Sequence, residues 1–188
     1  MRTDIPALII IDMQQGMLAP KAGTRNNPEA ELHIATLLQA WRKAAATVVH
    51  VRHISRTLGS PFWPGQSGVE FQEKLAPLPD EHVLEKNVPD AFINSGLERW
   101  LRVRGISKLV IVGVSTNNSV EASARTAGNL GFTTQVVADA CFAFSKTDYA
   151  GTFRTADEVH AMALSNLDGE YADIVQTTAM LQVLAEVG

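Results

Sequence analysis

A chain of 188 residues falls inside the size range of one domain, so a single core with room for a sizeable apolar interior is expected. Sixteen Lys and Arg against twenty Asp and Glu leave a net charge of -4 with no basic run, which excludes a nucleic-acid or anionic-membrane partner held by charge. Charged residues are 19% against roughly a quarter in an average protein, a deficit of polar cover that points to an oligomeric interface.

In chain order, Ala7–Ile11 is the first strand pattern, a continuous apolar run of the kind covered on both faces in a parallel sheet. A helix is expected next, with Asn27 as N-cap, Pro28 at its first position and Glu29 and Glu31 in its first turn. Its core stripe is Ile34, Leu37, Leu38 and Trp41. Thr47–Val51 is a second strand, and Arg56–Gly68 is a long loop rich in Gly and Pro that carries Phe62 and Trp63. Strands follow at His82–Leu84, Leu109–Val114, Thr134–Ala138 and Ala172–Val175, with helical patterns between them. Gly131 reads as the glycine that closes a helix, and Thr155 with Glu158 as a capping box opening another through about Leu164. Thr177 or Thr178 caps a last helix through Val187. The pattern predicts an α/β fold, a doubly wound, mostly parallel six-stranded sheet with helices on both faces. The longest apolar runs fall far short of the roughly 18 residues of a membrane span.

In an open parallel sheet, ligands bind beyond the carboxyl ends of the strands. Here those ends deliver Asp12, Lys86, the segment Ser115–Ser119 and Asp139. Positions 12, 86 and 119 lie 74 and then 33 residues apart, so only the fold can unite this acid, base and hydroxyl. Singly, each has an ordinary structural reading: a strand-end carboxylate bonded to backbone, a solvated lysine and a helix N-cap. Cys141 is the only cysteine, which excludes an intrachain disulfide and a multi-cysteine zinc site and fits a reducing, cytoplasmic setting. It reads as a small buried hydrophobe rather than a nucleophile. On an extended strand His50 and His53 point to opposite faces and make a poor chelate, so no catalytic metal is expected. Gly128-Asn129-Leu130-Gly131 closes a helix rather than following a strand and no phosphate-loop lysine pattern exists, so no organic cofactor is expected either.

Around these positions the chain resembles the isochorismatase-like hydrolase superfamily over nearly its whole length. The resemblance is carried by Leu8-Ile9-Ile10-Ile11-Asp12-Met13-Gln14, by Glu85-Lys86 before Asp90-Ala91-Phe92, and by Gly113-Val114-Ser115-Thr116-Asn117-Asn118-Ser119-Val120-Glu121-Ala122. It continues through Gly131-Phe132 and Val136-Val137-Ala138-Asp139-Ala140. The resemblance implies a catalytic carboxylate at Asp12, a catalytic lysine at Lys86 and the nucleophile's place at position 119. It also implies a cis peptide at Val114-Ser115 that aims backbone N–H groups of Ser115 and Ser119 at a developing oxyanion. Amide-cleaving relatives have cysteine where this chain has Ser119.

A serine hydroxyl is far harder to ionise than a thiol, and activated serines usually have a histidine or lysine as base. The resemblance offers a second route, in which a vinyl ether is cleaved by the aspartate as general acid with water attacking. Ser119 is then either a substrate-orienting hydroxyl or a slow nucleophile. That route meets an obstacle, since Lys86 lowers the pKa of Asp12 and only a dry pocket can offset it. Gln14, Trp63 and Asn118 are candidate substrate contacts. The resulting expectation is a hydrolase of a small molecule, assembled as a homo-oligomer, dimer or tetramer. The competing expectation is a catalytically inactive small-molecule binding protein of the same descent, or a purely structural subunit.

Overall fold

The computed structural model describes residues 5–19 and 23–187. Six strands form one sheet: β1 (Ala7–Ile11), β2 (Val48–His53), β3 (His82–Lys86), β4 (Lys108–Val114), β5 (Thr133–Phe142) and β8 (Asp173–Val175). Their order is β3-β2-β1-β4-β5-β8, and every neighbouring pair is parallel. Strand order therefore reverses between β1 and β4, which places a crevice beyond the carboxyl ends of those two strands.

Successive side chains of a strand point to opposite faces, so the run Ala7–Ile11 feeds two cores. Ala7, Ile9 and Ile11 pack with Leu97, Leu101, Ala124 and Ala127 on one face. Leu8 and Ile10 pack with Ile34, Leu37, Leu38 and Trp41 on the other. The first face is covered by α2 (Leu97–Arg102), α3 (Glu121–Asn129) and α4 (Ala156–Ser165), the second by α1 (Ala30–Lys43) and α5 (Thr177–Val187). Trp41 is fully buried and its indole N–H donates to the Pro6 carbonyl at 2.8 Å, tying α1 to the start of β1. A two-stranded antiparallel hairpin, β6 (Lys146–Thr147) with β7 (Phe153–Arg154), stands apart from the main sheet.

The capping box is formed as expected: Glu158 N–H donates to the Thr155 hydroxyl at 3.2 Å, and Thr155 N–H to the Glu158 carboxylate at 2.8 Å. Gly131 closes α3 at φ 81°. Two caps differ from expectation. Asn27 does not cap α1, which starts at Ala30 with Glu29 before it. The Asn27 amide instead donates to the carbonyls of Ala138 (3.0 Å) and Cys141 (2.7 Å), stitching the chain to β5. At α5, Thr177 is the first helical residue, and its N–H and hydroxyl both donate to Asp139 at 2.9 Å. Asp139, expected at the end of its strand, instead lies within β5, which runs on to Phe142, and its carboxylate is bound to a helix start.

β5 is twice as long as the apolar run that marks it. Its pairing with β4 shifts between Ile111 and Gly113, so Ile111 faces Val136 while Gly113 faces Cys141. Gly113 sits at φ 123°, and a Cβ there would lie 2.1 Å from the Ile11 carbonyl oxygen. Only glycine lets β4 approach β1 this closely at the edge of the crevice.

Candidate active site

Asp12 follows β1 and takes a left-handed backbone at φ 54°, turning the chain out of the sheet; its N–H still donates to Val51 O at 2.8 Å. Lys86 ends β3 opposite His53 of β2. Ser119 lies in a single π-helical turn, 116–120, which enters α3 directly. The Val114–Ser115 peptide ahead of it is cis. The three side chains converge across these separate elements. Lys86 Nζ donates to Asp12 Oδ2 at 2.7 Å and to Ser119 Oγ at 3.2 Å. Asp12, Lys86 and Ser119 are 1%, 3% and 6% exposed, so the cluster is nearly dry.

Burial sets its electrostatics. Removal from water pushes the Asp12 carboxyl above its ordinary value, and this outweighs the opposing pull of the Lys86 ammonium and its hydrogen bond. Asp12 Oδ1 is buried with no hydrogen-bond partner. A carboxylate oxygen left bare in a dry site is costly, whereas a protonated one carries a usable proton. His53 stands beside the pair, kept neutral by burial and by the nearby Lys86 charge.

Two hydroxyl contacts fix the turn. The Ser123 hydroxyl donates to the Ser119 carbonyl at 2.7 Å and accepts from Ala91 N–H at 2.9 Å, linking Ser119 to the loop that leaves β3. Thr116 and the Nδ1 of His160 on α4 share a buried hydrogen bond of 2.8 Å. Ser123 was not singled out from the sequence; the signal that marks it is a hydroxyl four residues after Ser119 on a helix, the spacing that reaches back to a carbonyl. His160 carried no such signal, because α4 is distant in sequence.

The expected substrate contacts fare differently. The Gln14 amide is committed to the scaffold: it donates to the carbonyls of His53 (3.0 Å) and Val69 (2.9 Å) and accepts from His53 N–H (2.7 Å). Asn118 is exposed beside Ser119, while Ser115 and Asn117 are half-buried and joined by a 2.5 Å hydrogen bond. Trp63 is half-buried in the long loop, but the aromatic that meets the site is its neighbour Phe62, edge-on to His53 at 6.0 Å. Phe62 also fills the space a Cβ on Gly16 would need, at 2.6 Å.

Cys141 is fully buried, and burial pushes its thiol up to about 12, so it carries no thiolate at neutral pH. His50 is bonded to Glu81 at 2.9 Å, away from His53, and among the described residues no three His, Cys, Asp or Glu side chains are placed to hold a metal ion. No described helix is long and apolar enough to cross a membrane.

Comparison with known proteins identifies the family. Residues 6–178 match the isochorismatase domain. The isochorismatase family protein YrdC of Bacillus subtilis is 35% identical over 175 residues, 93% of this chain and 94% of that protein. The maleamate amidohydrolase of Pseudomonas putida is 28% identical, covering 95% of this chain and 86% of that enzyme. A crystal structure assigned to the isochorismatase family of hydrolases, from Chromobacterium violaceum, superposes with a TM-score of 0.95 at 48% identity, covering 99% of this chain and 96% of that one. By sequence and by fold, the chain belongs to the isochorismatase family of hydrolases.

Proposed function

We propose that the protein hydrolyses a small molecule without a metal, with Asp12 as general acid, Lys86 as the charge that holds it and Ser119 as a hydroxyl that orients substrate or water. The observation that carries this reading is the dry Asp12 carboxyl, bonded to Lys86 through Oδ2 and unpartnered at Oδ1. Burial here supplies the offset to Lys86 that a general acid needs. On a vinyl ether, the Asp12 proton adds to the alkene carbon and water adds to the oxocarbenium carbon. The resulting hemiketal then collapses to a ketone and an alcohol, and the water's proton restores Asp12.

A C–N bond is the second reading, favoured by the likeness to maleamate amidohydrolase. It requires Ser119 to attack a carbonyl, with the Ser115 and Ser119 N–H groups receiving the oxyanion. Lys86 Nζ donates to the Ser119 hydroxyl at 3.2 Å and is no base while charged, which leaves the Asp12 carboxyl beside it as acceptor, a poor base for an alcohol. That weakens the nucleophile and favours the acid route.

The test is turnover of isochorismate and a set of small amides by wild type, Asp12→Asn and Ser119→Ala, each also after EDTA treatment. The expected result is vinyl ether cleavage that survives EDTA, falls at least about 10²-fold in Asp12→Asn and less than about tenfold in Ser119→Ala. Amide turnover lost in both variants would make Ser119 the nucleophile. No turnover of any compound would favour a binding protein.

A further inference from the structure

The chain has five histidines, and four of their rings are engaged by other residues. His33 Nδ1 meets the Asp139 carbonyl at 2.9 Å, His50 Nε2 meets Glu81 at 2.9 Å and His160 Nδ1 meets Thr116 at 2.8 Å. His82 stacks on Trp100 with ring centroids 4.2 Å apart. His53 is different. Among the described residues its hydrogen bonds are all made by its backbone, whose N–H donates to the Gln14 amide oxygen at 2.7 Å and whose carbonyl accepts from the Gln14 NH₂ at 3.0 Å. The ring is half-buried and edge-on to Phe62, with both nitrogens free of protein partners among the described residues.

The sheet order puts this free imidazole at the reacting pair. β2 lies between β1 and β3, which are about 9.5 Å apart at one strand spacing on each side of β2. The 2.7 Å bond from Lys86, the last residue of β3, to Asp12, just past β1, therefore crosses the end of β2, where His53 is the last residue. His53 pairs with Lys86 in parallel register, so both side chains leave the sheet on one face. Arg52 and Glu85, one residue earlier in each strand, bond to each other at 3.0 Å on the opposite face. The charged groups that face the His53 ring are thus Lys86 and Asp12.

The acid route leaves one proton to be handled. Once Asp12 has protonated the alkene carbon, the attacking water must lose a proton and the carboxylate must regain one. We propose that His53 is a catalytic base that takes the proton of the attacking water and returns it to Asp12. The water O–H bond breaks as its oxygen bonds the oxocarbenium carbon, the proton passes to a neutral ring nitrogen, and the imidazolium then gives it to the Asp12 carboxylate. No proton is gained or lost overall. Burial lowers His53 from 6.5 and raises Asp12 from 3.8, which brings the two groups toward each other, and the Lys86 charge keeps the imidazolium from retaining the proton. The proposal deepens the acid route and rests on it.

The test is the pH dependence of isochorismate turnover by wild type, His53→Gln and His53→Ala, the last with and without added imidazole, with the melting temperature of each. In wild type, kcat/KM is expected to fall as pH drops through a midpoint below 6.5, because the base must be neutral. His53→Gln should lose that limb and about 10²- to 10⁴-fold in kcat, with KM changed less than about threefold. Imidazole should restore His53→Ala at least about tenfold and leave Asp12→Asn unaffected. A His53→Gln kcat within about threefold of wild type would overturn the proposal. So would a loss of activity that keeps the acid limb and resists imidazole, which is the mark of a ring that only supports Phe62. The two readings separate: an active wild type with an indifferent His53→Gln removes the base alone, whereas a wild type inert on isochorismate removes the acid route and the base with it.

Discussion

A difference of one atom at position 119 decides the chemistry available at the Asp12–Lys86 pair. A thiol there, within reach of a lysine and at the start of a helix, ionises readily; a hydroxyl does not. The chain's only natural thiol, Cys141, cannot stand in, because it is fully buried and its pKa is about 12. Native wild type should therefore leave a thiol reagent unreacted at pH 7.5 until unfolding exposes one group per chain. Ser119→Cys should add one thiol that reacts in the native state and faster than a free cysteine, read by the time course of absorbance on disulfide exchange. Equal reactivity of wild type and Ser119→Cys would mean that the pocket does not activate a group at position 119.

Among the elements, the meeting of β1 and β4 matters most, since these strands deliver Asp12 and the Ser115–Ser119 turn side by side. Gly113 makes that approach possible, and Gly113→Ala combines a left-handed φ with a Cβ 2.1 Å from a β1 carbonyl. The expected cost is at least about 3 kcal/mol, a fall of roughly 6–12 °C in melting temperature. A calorimetric midpoint within about 2 °C of wild type would contradict the packing described. The run Ala7–Ile11 and the turn residues after β4 made this pair legible in sequence, because a strand buried on both faces has no alternation to obscure it. The fold class and the six strands were legible as short β-rich runs alternating with helical patterns, whereas Asp12, Lys86 and Ser119 stood out from other strand-end residues only through the family resemblance. The hairpin 146–154 and the full length of β5 were not, since β5 runs on through a register shift and the hairpin strands are two residues each. Asn27 looked like a helix cap because caps are chosen by residue type. Its amide was captured by β5 carbonyls 111 and 114 residues away, a competition no local window contains.

At the scale of the whole molecule, the end of the sheet opposite the candidate site is locked by charge. Glu81, just ahead of β3, accepts from Arg42 of α1 at 2.7 and 2.8 Å and from buried His50 of β2 at 2.9 Å. Burial alone would raise the Glu81 carboxyl, but the Arg42, Leu78 N–H and His50 hydrogen bonds bring it down to about 2 from an ordinary 4.5. A carboxyl depressed on folding contributes stability that is complete above the unfolded value and is lost as pH falls toward the folded one. Burial also lowers the pKa of His50, which adds acid sensitivity below its ordinary 6.5. Urea midpoints should therefore decline as pH drops from 4.5 toward 2, and Glu81→Gln should be less stable than wild type at pH 6 with a gap that narrows across that window. A gap independent of pH would show that the Glu81 charge is not what holds α1 to the sheet here.

The measurement that bears most directly on the central claim is the ionisation of Asp12 itself. Carboxyl ¹³C resonances of aspartate-labelled protein, with Asp12 assigned by its loss in Asp12→Asn, report the titration without any knowledge of the substrate. Burial that outweighs Lys86 predicts a midpoint above 3.8, the value of an unperturbed aspartate, the direction a general acid requires. A midpoint at or below 3.8 would mean that Lys86 wins, that Asp12 is a permanent carboxylate, and that the acid route fails.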